Sequence, residues 1–514
     1  MSTLLLGIIV IIYVFILAWL GWLGYRQTKN SSDYLLGDRK INPMIMALSY
    51  GATFISTSAI VGFGGVAATF GMGIQWLCAL NMFVGVIIAF LFFGGRTRAL
   101  GVKHDAHTFP QLMGYYYDSL LIKRICAAVI FISMPIYAAV VMKGGAVFIE
   151  QVFNLDINIA LFIFTVVVAI YVISGGIKGV LYTDALQGMI MFASLLFILV
   201  WFYKIMDIGF LEANRKLTDI AYLVPDRLKD LGHQGWTAMP VTGSPQWYTL
   251  VTSLIMGVGI GCLAQPQLVV RFMMVENNKQ LNRGILIGCI FIFFTVGSIY
   301  HIGALSNLFF LKTEGMIASE LVSDIDRIIP LYIDKAMPGW FGAIFMLCMM
   351  SASMSTLSAQ FHTMGAAFGA DAFPKLGRSK NPNSTIAVRI GVVVAIIVSY
   401  AICYTLSANV IARGTALFMG VCAATFLPVY FCSLYCKWVT KEGALASICT
   451  GIFASVFAML FLHKAEAIPI GLCRSLFGCD VLIESYPWPM IDPLLFALPL
   501  SITTIILVSL LTRK

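Results

Sequence analysis

Charge is scarce in this chain. Of its 514 residues only 11% are Asp, Glu, Lys or Arg, where a soluble protein carries about 25%. That shortage leaves too little polar surface to keep a chain of this length in water. There is no Gly-rich loop ending in Lys-Ser or Lys-Thr to cradle phosphates, which excludes ATP-driven pumping. No Ser/Pro linker or low-complexity tract divides the sequence. Within the apolar segments no pair of Asp, Glu, His or Ser residues has catalytic spacing, so no catalytic residue and no cofactor is assigned and an enzyme is not expected. The formal charge of +9 is no nucleic-acid footprint either, because the basic residues are scattered among short loops. No obligate protein partner is inferred.

Apolar residues are what the chain has in excess: 60% of the total, with a mean hydropathy of +0.91. Apolar runs recur near the roughly 20 residues that cross a bilayer as a helix. The first, "LLLGIIVIIYVFILAWLGWLGY", lacks the basic start and the cleavage site of a signal peptide and reads as a retained span. Thirteen spans are expected, near 4–25, 45–71, 75–94, 124–151, 157–174, 182–204, 249–268, 284–310, 338–368, 387–406, 409–434, 443–463 and 492–511. This is an all-α, multi-pass integral membrane protein whose partner is the lipid bilayer. Between these spans, 21 of the 33 Lys and Arg fall on one side and 11 on the other, with Lys143 within the membrane. The positive-inside rule then puts the N-terminus outside and the C-terminus, Arg513-Lys514, in the cytoplasm of a plasma or inner membrane. Cys473 and Cys479 share an outer loop, where a disulfide and two free thiols are both open. The segment "ASELVSDIDRIIPLYIDKAMP" has helical spacing and is expected to lie along the outer surface.

The second span, "GATFISTSAIVGFGGVAATFGMG", holds six glycines and a hydroxyl cluster. The seventh, "LIMGVGIGCLAQPQLVVRF", is interrupted again by Gly257, Gly259, Gly261 and Pro266. Spans two to six and seven to eleven make two groups of five, each led by an interrupted span. Five is odd, so the second group enters from the opposite side. Paired broken helices in two inverted halves point to a transporter with its site at the midplane. Close helix packing is the competing explanation of the glycines. The expected division is an extra N-terminal helix and loop (1–44), a first repeat (45–205), an outer loop (206–248), an inverted second repeat (249–435) and two extra helices (436–514).

In the ninth span Ala352, Ser355 and Thr356 lie at i, i+3 and i+4 and so on one face. Two hydroxyl oxygens there, with carbonyls freed by a broken second span, would form a cage for a small monovalent cation. Interhelical packing is the other role for such hydroxyls. Gln265 and Gln267 beside Pro266 read either as cavity residues or as interhelical hydrogen-bonding groups. Lys143 sits inside the fourth span, where a charge is costly. It has three readings: a partner for a solute carboxylate, a substitute for the coupling cation, or a lysine reaching back to the outer interface.

Several stretches resemble the sodium:solute symporter family: "GGIKGVLYTDALQG" before the sixth span, "MSTLSAQ" in the ninth, "AQPQLVVRFM" after the seventh and "CKWVTKEGALA" before the twelfth. The resemblance implies a LeuT-like five-plus-five inverted repeat with extra N- and C-terminal helices. It also implies one sodium site, formed by the carbonyls of Ala52, Ile55 and Ala352 and the hydroxyls of Ser355 and Thr356. Ser56, Thr57 and Ser58 would then face the solute, joined by Gln265 and Lys143. Asp184 would help sodium leave toward the cytoplasm, against an alternative role as a helix N-terminal acid. Na+ is the implied coupling ion, and the implied activity is import of a small organic solute, with a carboxylate-bearing one suggested by Lys143. Phe54 stands near the place where proline symporters have an aspartate. A proton-coupled or uncoupled carrier of the same fold is the alternative, and a solute-binding sensor a more distant one.

Overall fold

The computed structural model describes residues 3–28, 31–153, 155–372, 384–406 and 411–513. Of the inner basic residues in the count above, Lys29, Lys375, Arg378, Lys380 and Lys514 lie outside that set. Among the described residues there are helices and turns and no strand. Helix α1 covers Thr3–Gln27. Two half-helices follow, α2 (Pro43–Phe54) and α3 (Ser58–Phe70), bent by 55° at the residues between them. Next come α4 (Met72–Lys103), the short α5 (Phe109–Tyr116) and α6 (Leu120–Phe153). Helices α7 (Ile157–Ile173) and α8 (Gly175–Met206) meet at Gly176, which turns with φ +57°. Beyond a long connecting segment are α9 (Pro245–Ala264), α10 (Pro266–Phe272), α11 (Asn278–Glu314) and the short α12 (Ile328–Ala336). The chain continues through α13 (Phe341–Ala372), α14 (Ser384–Cys403), α15 (Ile411–Tyr435), α16 (Lys441–Phe461) and α17 (Leu494–Thr512).

Eleven described helices are long and apolar enough to cross a membrane, and the bent pair α2–α3 makes a twelfth. The expected span at 157–174 is the shorter apolar helix α7. At 1.5 Å per residue it is about 25 Å long, just under the roughly 30 Å of a hydrocarbon core, because the backbone turns at Gly176. Burial sorts the helices. The apolar window of α13 is 83% buried and that of α15 78%, against 17% for α1, 33% for α16 and 28% for α17. The core therefore surrounds α13, while α1, α16 and α17 leave most of their surface for lipid. Small residues bring α1 against α8: a Cβ on Gly24 would fall 2.3 Å from the Gly179 nitrogen, the close approach that glycine allows between membrane helices.

The glycines of the two interrupted spans are packing sites too, and not the breaks. The first break falls at residues 55–57, which contain no glycine. A Cβ on Gly65 would lie 2.0 Å from the Ile325 carbonyl oxygen, and one on Gly64 would lie 2.8 Å from Ile329. In α9 a Cβ on Gly259 would meet Leu80 at 2.2 Å, and one on Gly261 would meet the Met419 carbonyl at 2.4 Å. The break after α9 comes at Gln265, extended at φ −69°, ψ 119°. There Pro266 disfavours the helical region for the residue before it. The expected outer-surface helix also differs. Ile328, Ile329, Tyr332 and Ile333 of α12 are buried, because the glycines of α3 let this segment seat as a lid on the protein itself. Cys473 and Cys479 lie with their sulfurs 3.9 Å apart.

Candidate functional site

Helix α2 starts well and stops abruptly. Asn42 caps its first turn by accepting from the Met44 N–H, with Pro43 at the first helical position. At Ile55 the backbone becomes extended (φ −95°, ψ 103°), its N–H donating to the Gly51 carbonyl. A helix that ends leaves its last carbonyls without intrahelical donors, and here two of them are met from α13. Ser355 Oγ donates to the Ala52 carbonyl at 2.9 Å and lies 3.3 Å from the Ala352 carbonyl. Thr356 Oγ1 donates to the Thr53 carbonyl at 3.1 Å. Ala52, Ala352, Ser355 and Thr356 are all fully buried. Peptide and hydroxyl oxygens thus converge in a dry place with no carboxylate among them. This is a donor set for a hard monovalent cation: a hydroxyl that turns its hydrogen away frees both its own lone pair and the carbonyl it held. Four of the five expected positions are brought together this way. Ile55 lies at the break itself, and Thr53 supplies a carbonyl that the sequence did not single out.

Beside these oxygens is a buried ion pair. Arg271 of α10 donates to Asp184 Oδ2 at 3.0 Å, and the two side chains are 1% and 0% exposed. Ser49 and Thr53 of α2 donate to the same oxygen at 2.7 and 3.2 Å, while Ser358 of α13 donates to Oδ1 at 3.1 Å. Arg271 also reaches Thr53 Oγ1 at 2.5 Å, Ser49 Oγ and the Gln267 carbonyl. Asp184 is the tenth residue of α8. The helix dipole acts within the first turn, so the N-terminal-acid reading does not apply. Counting charges placed Arg271 in an inner loop, and the structure buries it instead. Its sequence signal was weak: one arginine after "QPQLVV".

Next to these oxygens the break lines a small cavity of about 20 Å³, room for about one water. Ile55, Ser56, Asn81, Tyr137, Tyr300, Thr415 and Met419 line it, together with Phe54, Ala59, Phe63, Val258 and Val296. Of the expected solute-facing residues, Ser56 is there. Thr57 donates to the Val141 carbonyl at 3.3 Å, and Ser58 accepts from Thr415 at 2.7 Å. Gln265 accepts from Gln267, so these two bond each other away from the cavity.

A sequence profile of the sodium:solute symporter family matches residues 34–451. The chain belongs to this family. Its relatives include the osmoregulated proline transporter OpuE of Bacillus subtilis (strain 168), 26% identical over 446 residues covering 86% of each chain. The sodium/proline symporter of Escherichia coli (strain K12) is 26% identical over 467 residues covering 89% of each. Among solved structures, a Na+-coupled sialic acid symporter in a substrate-bound outward-open state superposes with a TM-score of 0.76 at 15% identity, covering 99% of this chain and 96% of that one. The fold is therefore the LeuT-like fold of a sodium symporter.

In this sodium:solute symporter Lys143 stands apart from the cavity. Its ammonium donates to the Leu406 carbonyl at 2.5 Å, and its charge acts on Asp326, just before α12. Burial, with Asp324 beside it, pushes the Asp326 carboxyl up to about 7, although Lys143 and the Ile411 N–H favour its charged form. Lys143 joins α6 to the residues just after α14. Asn81, missed in the sequence, is the polar side chain that α4 contributes to the cavity.

Proposed function

We propose that this multi-pass symporter couples inward movement of sodium to uptake of a compact, net-neutral organic solute by alternating access. The N-terminus lies outside and the C-terminus in the cytoplasm. One observation carries the reading: the last carbonyls of α2 meet the α13 hydroxyls directly below a cavity that begins at the same break. An ion that draws Ala52, Ser355 and Thr356 together fixes the floor on which the solute sits. The named proline transporters among the relatives move a zwitterion without net charge, which accords with a cavity lined by no charged residue. A carboxylate on the solute then needs no Lys143. The charge imbalance between loops supports the orientation. The membrane potential contributes about 2.3 kcal/mol per charge per 100 mV, enough for one sodium to drive uphill accumulation of about 50-fold.

Uptake of L-proline and other compact zwitterions into proteoliposomes tests the proposal. Replacing external Na+ by K+ is expected to abolish accumulation. Changing both Ser355 and Thr356 to Ala is expected to raise the half-saturating sodium concentration by about tenfold or more, the loss of one to two charge–oxygen contacts. Accumulation that ignores Na+ but follows an imposed proton gradient would overturn sodium coupling in favour of a proton-driven carrier.

A further inference from the structure

The stretch between α16 and α17 leaves large apolar side chains in the open. Its two short helices, Lys464–Ile470 and Leu472–Phe477, bury Ala467 and Cys473 against the protein. Ile470, Leu476, Phe477, Ile483 and Trp488 of the same stretch are each 40–61% exposed. An apolar patch of this kind marks contact with a membrane or with another protein. Three contacts fix its depth. The Leu482 N–H donates at 2.8 Å to the carbonyl of Phe461, the last residue of α16. Phe477 packs on Phe461 with ring centroids 5.9 Å apart, and Trp488 packs at 5.7 Å on Phe496 in the first turn of α17. The stretch therefore lies level with the ends of two spans and does not project from them. It also continues the lipid-facing side of α16. Phe453, Phe457, Phe461 and Phe477 form an unbroken ladder of ring contacts at 6.1, 5.1 and 5.9 Å. A bilayer already covers the rungs on α16, so the cover that serves Phe453 serves Phe477 as well. Trp and Tyr are enriched at membrane–water boundaries, and Trp488 and Tyr486 are both exposed here. Lys464 and Arg474 are exposed beside them, cations whose stems lie along apolar surface while their heads reach lipid phosphates.

We propose that residues 464–491 form an interfacial foot, seated at the boundary between acyl chains and headgroups, and that lipid is the partner of this surface. The foot is bonded to the core of the protein. Its Glu466, buried on the protein side, accepts from Arg413 of α15 at 2.5 Å. Arg413 stands two residues before Thr415, which lines the cavity and donates to Ser58. The foot thereby braces the first turn of α15 against the membrane.

Tryptophan fluorescence of the purified full-length protein in phosphatidylcholine vesicles tests this with two quenchers. One is phosphatidylcholine brominated near the headgroup end of its chains, and the other is iodide on both sides of the membrane. Subtracting the emission of Trp488→Phe from that of the wild type isolates Trp488 among the nine tryptophans. Subtracting the wild type from Phe477→Trp isolates the emitter added on the second short helix, and that reading stands whether or not Trp488→Phe folds. Both isolated signals are expected to lose most of their intensity to the brominated lipid and little to iodide. Loss to iodide at either position overturns the proposal, since the stretch then lies in water. Loss to neither quencher overturns it as well, in favour of a protein surface, such as a second copy of this chain, over the patch.

Discussion

Replacing Arg271 by Met is the most informative single perturbation of this structure. The change keeps much of the side-chain volume and removes five donor contacts, to Asp184, Thr53, the Gln267 carbonyl and twice to Ser49. Asp184 is left fully buried with three hydroxyl donors, Ser49, Thr53 and Ser358, and no compensating charge. Breaking a buried pair from one side typically costs about 3–5 kcal/mol, whereas replacing both members is often close to neutral. Asp184→Asn alone strands the guanidinium and is expected to cost a similar amount. The double variant Asp184→Asn with Arg271→Met is expected to return to within about 1–2 kcal/mol of the starting protein, giving an interaction energy of at least about 2 kcal/mol. Scanning fluorimetry of the four purified proteins reads this as two depressed midpoints and one recovered. Two single variants of wild-type stability, or a double variant whose loss equals their sum, would refute the view that Arg271 and Asp184 form one charge-neutral unit.

Three further tests address α12, the residues before it and Lys143. Gly65→Ala places a Cβ 2.0 Å from the Ile325 carbonyl. Overpacking of this kind costs about 1–3 kcal/mol, so the lid should seat poorly, measured as faster alkylation of a cysteine introduced at Ser56. Asp326, held near 7 by burial, binds a proton in the folded protein that it would release at ordinary carboxylate pH when unfolded. Folded stability therefore falls as pH rises from about 4 to 7, and Asp326→Asn should flatten that slope in thermal melts at pH 5 and pH 8. Lys143→Met should leave competition by carboxylate-bearing solutes unchanged in uptake assays, because its ammonium is engaged with Leu406 outside the cavity. Loss of that competition would restore Lys143 as a solute partner.

Much of this arrangement was legible from residues alone, and the limits have physical causes. Ala352, Ser355 and Thr356 declared themselves because helical periodicity is local: three positions within five residues must share a face. The glycines misled about the breaks because glycine signals two things at once, backbone freedom and close approach, and only the neighbours Ile325, Leu80 and Met419 decide between them. Arg271 could not be told from a loop arginine, since its partner lies 87 positions away and single-chain charge counting sees no pairing. Lys143 drew attention as an intramembrane charge, yet depth along α6 and the position of Leu406 belong to tertiary structure. Asn81 carried no signal, because one amide in an apolar run looks the same whether it faces a neighbour or a cavity.

Thr53 faces two ways. Its peptide oxygen takes the hydroxyl of Thr356, and its own hydroxyl lies between Arg271 and Asp184. Tugging that one unit from above by even a fraction of an ångström must lengthen or shorten contacts below. The oxygens proposed to hold sodium and the Arg271–Asp184 pair thus meet in a single amino acid, with no relay of intervening parts between them.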